Sequence, residues 1–230
     1  MSNEIRFFVP TAIRAFVNGV VQRIEVAAGV SIKQMIDLNP TISERVSAGE
    51  EYDLGMTNPG YAKALIAAGY AEVGSHRAFG RVPLAVAQRP GRQDRVKENV
   101  EDLKALFREA ESIAFTGVGT SGRTYLKALE RIGLTDAVFP KSKAMGGGEP
   151  VASVAAGEAE LAVAPLTTIL STPDIVLAAV FPEELGTHID ISVFLGIKAH
   201  PGASQALSFL TSSELDDELA AAGIFRFALD

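Results

Sequence analysis

The sequence predicts an α/β protein built on mixed, mostly parallel sheets, and three observations carry that prediction. Apolar runs of strand length alternate along the chain with amphipathic stretches of helix length, the pattern of successive β–α units. The first three runs each end at a small polar residue, Thr11, Asn39 or Thr57, next to the start of a helix. The same strand–loop–helix arrangement returns mid-chain at Ser112–Leu134, SIAFTGVGTSGRTYLKALERIGL.

In chain order, Ile5–Val9 (IRFFV) is apolar on both faces, as a buried strand would be, and stops at Pro10. Thr11 can then cap a helix whose Ile13, Phe16, Val17 and Val20 share a face. A second strand over Val30–Leu38 ends at Asn39-Pro40, read as an N-cap followed by proline at the first helical position. Leu54–Thr57 is a short third strand, and Asn58-Pro59-Gly60 opens the next helix. Phe79–Gln88 is a strand, RPGRQDR after it a polar turn, and Val96–Arg108 a helix. Ile113–Phe115 leads through a Thr116–Gly122 loop into a helix from Arg123. Thr135–Pro140 reads as strand or loop, Lys141–Gly148 as a flexible glycine-rich connection, and Glu149–Gly157 as a helix. Leu161–Leu166, Ile175–Val180 and Asp190–Ile197 are strand-like, and helices over Ala203–Leu210 and Ser213–Ala222 close the chain. No internal sequence repeat is visible.

With 47% hydrophobic and 21% charged residues in 230, the chain can build a sizeable core. A net charge of −7 argues against nucleic acid as a partner, since phosphate binding needs concentrated Lys and Arg. A bound anion would have to be held by local amides, hydroxyls and a few Arg, against the global field. Absence of cysteine excludes disulfides, thiol nucleophiles and Cys-ligated metals. His76, His188 and His200 lack ligand spacing, so no metal or other cofactor is expected. No apolar segment reaches the length of a membrane span. The start MSNEIRFFVP has no cationic segment followed by an apolar run, so the chain reads as cytoplasmic as it stands, or periplasmic if a leader was removed. It is expected to be a monomer.

The loop before Arg123 is the organising feature. Small and hydroxyl residues entering a helix N-terminus leave first-turn amides free for an anion. It is neither a Walker A loop nor a complete G-x-G-x-x-G. Thr120, Ser121, Gly122 and Arg123 read as an oxyanion or carboxylate clamp, or as a helix start with an exposed base. The latter opposes the helix dipole and so needs a reason. Thr11 and Asn39 can be site residues, N-caps or both, with Thr57 and Asn58 closing the third loop. Thr167 is a wall of the site or a strand-end residue. Tyr125 is a phenol reaching the site or a core aromatic, and His76 a titrating group or a surface-loop histidine. Gly146–Gly148 is a phosphate nest or a connection.

Several stretches together resemble type II periplasmic solute-binding proteins, in the molybdate-binding-protein-like branch. FFVPTAIRAF is similar to that group's first strand, hydroxyl loop and helix, and NPTISERVSAGEEYDLGMTN to its helix, Gly turn and Asp-strand. GRVPLAVAQRPG resembles its crossing strand, VASVAAGEAELAVAP its helix–Gly–Glu–strand segment, and SQALSFLTSSELDDELAAAGI its closing helix pair. The resemblance implies two α/β lobes with a hinge of two crossing segments, near 81–88 and 191–197, and an anion in the cleft. Lobe I would be 1–80 plus 198–230 and lobe II 81–197. It carries ligand contacts onto Thr11, Asn39, Asn58, and Ser121 or Gly122, and implies an ABC-transporter permease as partner. Two departures stand out: Pro165, Leu166 and Thr167 replace the group's ligand tyrosine, and Asn39-Pro40 replaces its Ser-Gly. Arg14, Arg45 and Arg123 near the site loops point from a bare oxyanion towards a di- or tricarboxylate. The segment from Gly157 to Ala203 also resembles aconitate isomerase, so isomerisation of an unsaturated tricarboxylate is the alternative, with His76 or Tyr125 as the only candidate bases.

Overall fold

The computed structural model describes residues 3–91 and 96–229, and strands and helices alternate along it. One unit runs from the N-terminus to Arg81 and resumes at Asp190, and the other is Val82–Ile189. Arg92–Arg95 of the expected polar turn lie outside the described residues.

The first unit starts with β1 (Glu4–Pro10), a 3-10 turn (Thr11–Ile13) and α1 (Arg14–Ala28). Then come β2 (Ser31–Asp37), α2 (Asn39–Ser47), β3 (Leu54–Thr57) and α3 (Pro59–Ala67), before β4 (Arg77–Gln88) leaves for the second unit. β1 is central and parallel to both neighbours, pairing Glu4↔Ser31 through Pro10↔Asp37 with β2 and Phe7↔Leu54 with β3. The apolar spacing read in the sequence is the buried stripe of α1: Phe16, Val17, Val20 and Ile24, continuous with Ile13. On the other side, Ile42 and Val46 of α2 and Ala62 and Leu65 of α3 close over Phe8, Tyr52 and Phe194. Gly55 is required in this packing, since a Cβ there would sit 2.7 Å from the Phe194 ring.

The second unit contains α4 (Val100–Glu109), β5 (Ile113–Thr116), α5 (Thr120–Arg131), α6 (Thr135–Val138) and β6 (Ser142–Met145). It continues with α7 (Glu149–Ala155), β7 (Leu161–Pro165), α8 (Leu166–Leu170) and β8 (Val176–Val180). β5 is central and parallel to β6 and β7, and β4 runs antiparallel to both β7 and β8. Phe107, Phe115, Tyr125 and Phe181 form the aromatic centre of this unit, with ring centroids 5.2–5.9 Å apart.

The chain then re-enters the first unit through β9 (His188–Leu195), which pairs antiparallel with β3 from Leu54↔Leu195 to Thr57↔Ser192. α9 (Gly202–Leu210) packs on α1, and α10 (Asp216–Ala221) follows. Each unit therefore repeats one strand order: β2-β1-β3 with β9 antiparallel beyond, and β6-β5-β7 with β4 antiparallel beyond. No helix among the described residues is long and apolar enough to cross a membrane.

Several local expectations are corrected. Thr135–Pro140 is helical, with Asp136 favouring the N-terminus of the short α6. Lys141–Gly148 is not a free connection: Ser142–Met145 fills the outer edge of β5, where Gly117 and Ala144 approach so closely that a Cβ on Gly117 would stand 3.0 Å from that of Ala144. The loop before α5 is shorter than expected, because the helix begins at Thr120. Thr167 lies in the short helix α8, not at a strand end. The first unit resumes at Asp190, from which β9 goes on to complete the β3 edge.

Candidate functional site

In the first unit the chain passes from β1 to β2 on one side and then returns across β1 to β3 on the other. Such a reversal leaves a crevice at the strand C-termini, where helix N-termini converge. Thr11 directly follows β1 and is half-buried, but no side chain caps either the 3-10 turn or α1. Asn39 is not the N-cap: Leu38 is, and Asn39 and Pro40 are the first two helical residues. The buried Asn39 side chain turns instead towards β3, where the Thr57 hydroxyl lies 3.2 Å from both its backbone and its side-chain carbonyl oxygens. Thr57 is fully buried, and its own carbonyl accepts from the Ser192 hydroxyl at 3.1 Å. Asn58 caps α3 by accepting from the Gly60 amide at 3.1 Å, while its amide nitrogen donates to the Asp190 carbonyl at 3.3 Å. The ends of β2 and β3, the starts of α2 and α3 and the first half of β9 are thus tied together by Asn39, Thr57 and Asn58.

The second unit builds the same kind of crevice between β5 and β7. Gly119 is the N-cap of α5 and offers no side chain, so the first-turn amides have no side-chain cap. The Thr120 hydroxyl oxygen is buried without a hydrogen-bond partner among the described residues, and Ser121 is buried beside it. Gly122 belongs to packing, since a Cβ there would run into the Thr116 carbonyl oxygen at the end of β5. Arg123, in the first turn, is exposed. Thr167 is buried in α8, which starts straight off the end of β7.

The remaining candidates separate from these crevices. Arg45 is held by Glu50 through two hydrogen bonds of 2.6 and 2.7 Å and by Asp37 at 3.1 Å, and stacks 4.8 Å above the Phe8 ring. Its hydrogen bonds hold the Glu50 carboxyl below the usual range. Tyr125 is a core aromatic: its hydroxyl donates to Ser142 at 3.0 Å, because the Ser142 proton is committed to the Val138 carbonyl, and burial pushes the phenol up to about 12. His76 sits at the opposite end of the first-unit sheet. Its neighbour Ser75 accepts from the Leu195 amide, and Leu195 pairs with the start of β3. Burial, then the charges of Lys63 and Arg77, lower the His76 pKa.

Two residues of these crevices carried no sequence signal. Ser192 supports the end of β3, and Thr187 is a buried threonine whose hydroxyl has no partner among the described residues. The Thr187 carbonyl accepts from Leu84, which pairs with Pro165 at the end of β7. Both residues are remote in sequence from the loops they join. Among the described residues no group of three or more His, Asp or Glu is placed to hold a metal ion.

The model of the family described as bacterial extracellular solute-binding protein matches residues 5–225. The chain belongs to that family. Among solved structures, this solute-binding chain is similar to the periplasmic molybdate-binding protein of Azotobacter vinelandii, with a TM-score of 0.81 and 15% identity over 98% of this chain and 100% of that one. It is also similar to the sulfate-binding protein SubI of Mycobacterium tuberculosis (TM-score 0.73, 14% identity, 97% and 86% covered). A third similar structure is Peb3 of Campylobacter jejuni (0.73, 14%, 97% and 100%). At these identities the likeness establishes the type II periplasmic binding-protein fold, in its molybdate-binding-like form. No curated protein sequence matches.

Proposed function

We propose that the protein is the solute receptor of an ABC importer, working outside the cytoplasm, and that its solute is a small organic anion with two or three carboxylates. The observation that carries the carboxylate is a pair of exposed arginines in matching places. Arg14 starts the helix after β1 and Arg123 lies in the first turn of the helix after β5, each behind the central strand of its unit. A cation near a helix N-terminus opposes the dipole by about 0.3–1 kcal/mol. An exposed guanidinium fork in such a place can meet a carboxylate in two parallel hydrogen bonds. Thr11, Asn39 and Asn58 at the strand ends of the first unit, and Thr120, Ser121 and Thr167 at those of the second, offer each unit neutral hydrogen-bonding groups. Ligand would act by favouring one conformation through differential affinity before delivery to a permease.

Neither candidate base supports an isomerase: His76 is at the wrong end of its sheet and Tyr125 is in the core. Calorimetry with citrate, trans-aconitate and molybdate tests the reading, with ultraviolet absorbance of cis- and trans-aconitate followed alongside. We expect carboxylate binding without turnover. Arg123→Ala and Arg14→Ala should each weaken it tenfold or more, a charged hydrogen bond being worth about 1.5–3 kcal/mol. Molybdate binding without carboxylate binding, or citrate affinity unchanged in Arg123→Ala, would overturn it.

A further inference from the structure

The chain leaves the first unit after Arg81 and comes back into it at Asp190. These two boundary residues grip each other: Arg81 Nε lies 2.6 Å from one Asp190 carboxylate oxygen and an Arg81 terminal nitrogen 2.9 Å from the other. A fork-to-fork pair of this kind fixes orientation as well as distance. Arg81 is itself anchored. Its backbone exchanges hydrogen bonds of 2.7 and 2.9 Å with Phe225, and its guanidinium stands 5.4 Å over the Phe227 ring. The intervening Arg226 donates to the carbonyls of Phe79, Leu210 and Ser212 and pairs with Asp216 at 3.0 Å.

Asp190 also faces the proposed ligand loop, since its carbonyl takes the hydrogen bond from Asn58. The pairing of β9 with β3 ends at Thr57↔Ser192, two residues short of Asp190. Beyond that ladder Asp190 stays within β9, which is hydrogen-bonded on its other edge to β4, and its carboxylate is held by Arg81 of β4.

We infer that Arg81 and Asp190 are positioning residues for solute binding. The pair fixes the Asp190 carbonyl, that carbonyl orients the Asn58 amide, and Asn58 in turn presents the first turn of α3 to the anion. The last step rests on the function proposed above. The pair couples the geometry of the binding loop to the place where both connecting segments leave the unit. It also gives the C-terminal segment Phe225–Phe227 a part in binding, through Arg81.

The test uses the full chain, with citrate as probe, and includes a readout that needs no ligand. In Asp190→Ala the Asn58 side-chain amide should lose its distinct nitrogen–proton resonance and the Gly60 amide should exchange at least tenfold faster, with exchange in β5 unchanged. Citrate affinity should fall about tenfold in Asp190→Ala, be largely retained in Asp190→Glu, and show no further loss when Asp190→Ala is added to Asn58→Ala. That absence of additivity separates positioning from a general loss of stability. Unchanged Asn58 and Gly60 signals in Asp190→Ala, or additive losses in the double variant, would overturn the inference. If citrate fails to bind the unaltered protein, the carboxylate reading falls, and the Asn58 and Gly60 signals alone then decide the positioning role.

Discussion

Gly122 has no space for a methyl group, because the Thr116 carbonyl occupies the position a Cβ would take. Overpacking of this kind costs about 1–3 kcal/mol. Gly122→Ala should therefore lower the thermal midpoint by several degrees, and differential scanning calorimetry reads it directly. In the sequence Gly122 reads as part of an anion loop, and the structure adds a packing reason for it, since a glycine at a helix start looks the same whether a ligand or a strand end lies against it. His76 invites a second test. Burial, Lys63 and Arg77 disfavour its charged form in the folded state, so its folded pKa lies below the ordinary 6.5. Below pH 6.5 the unfolded chain takes up the proton more readily, and stability is lost as pH falls through that window. His76→Gln should remove this part of the slope, so the gap in midpoint between pH 8 and pH 5 should be smaller in the variant than in the parent. An equal gap would place the acid sensitivity elsewhere.

At the level of elements, α2 shows how a sequence can indicate a helix and misassign its side chains. Asn39-Pro40 correctly marked where the helix begins, but the cap fell one residue earlier, freeing the Asn39 side chain for Thr57. Arg45 looked like a site cation because it lies two turns into that helix, yet Glu50, Asp37 and the Phe8 ring hold it. A half-exposed ion-pair cluster of this sort is worth about 1 kcal/mol. Arg45→Ala should cost roughly that in a urea titration and leave citrate affinity unchanged, where Arg123→Ala does the reverse. The start of α3 was legible, since Asn-Pro-Gly at a strand end marks where it opens, and Asn58 proves to be its cap. β6 was not, since SKAM carries no apolar alternation and becomes a strand only because β5 offers it an open edge.

For the whole molecule, the alternation of strands and helices was enough to give the α/β class, but not the fact that both units use one strand order. That order depends on which strand each helix returns to, and Ile113–Thr116 shares no residue pattern with Glu4–Pro10 that would reveal it. The units differ in a further respect. The second is a continuous stretch, Val82–Ile189, whereas the first needs β9 and α9 from the end of the chain. Long-range pairing is slow because loop closure precedes its reward. Pulse-labelled hydrogen exchange during refolding should show β5 and β7 amides protected before those of β3 and β9, and the opposite order would refute this. In the cell the consequence concerns secretion. Until its last forty or so residues are made, the chain holds β3 as an unfinished edge and its first unit incomplete. A protein proposed to work beyond the cytoplasmic membrane would thus carry one unit able to close on its own and one that waits for the residues from Asp190 onward.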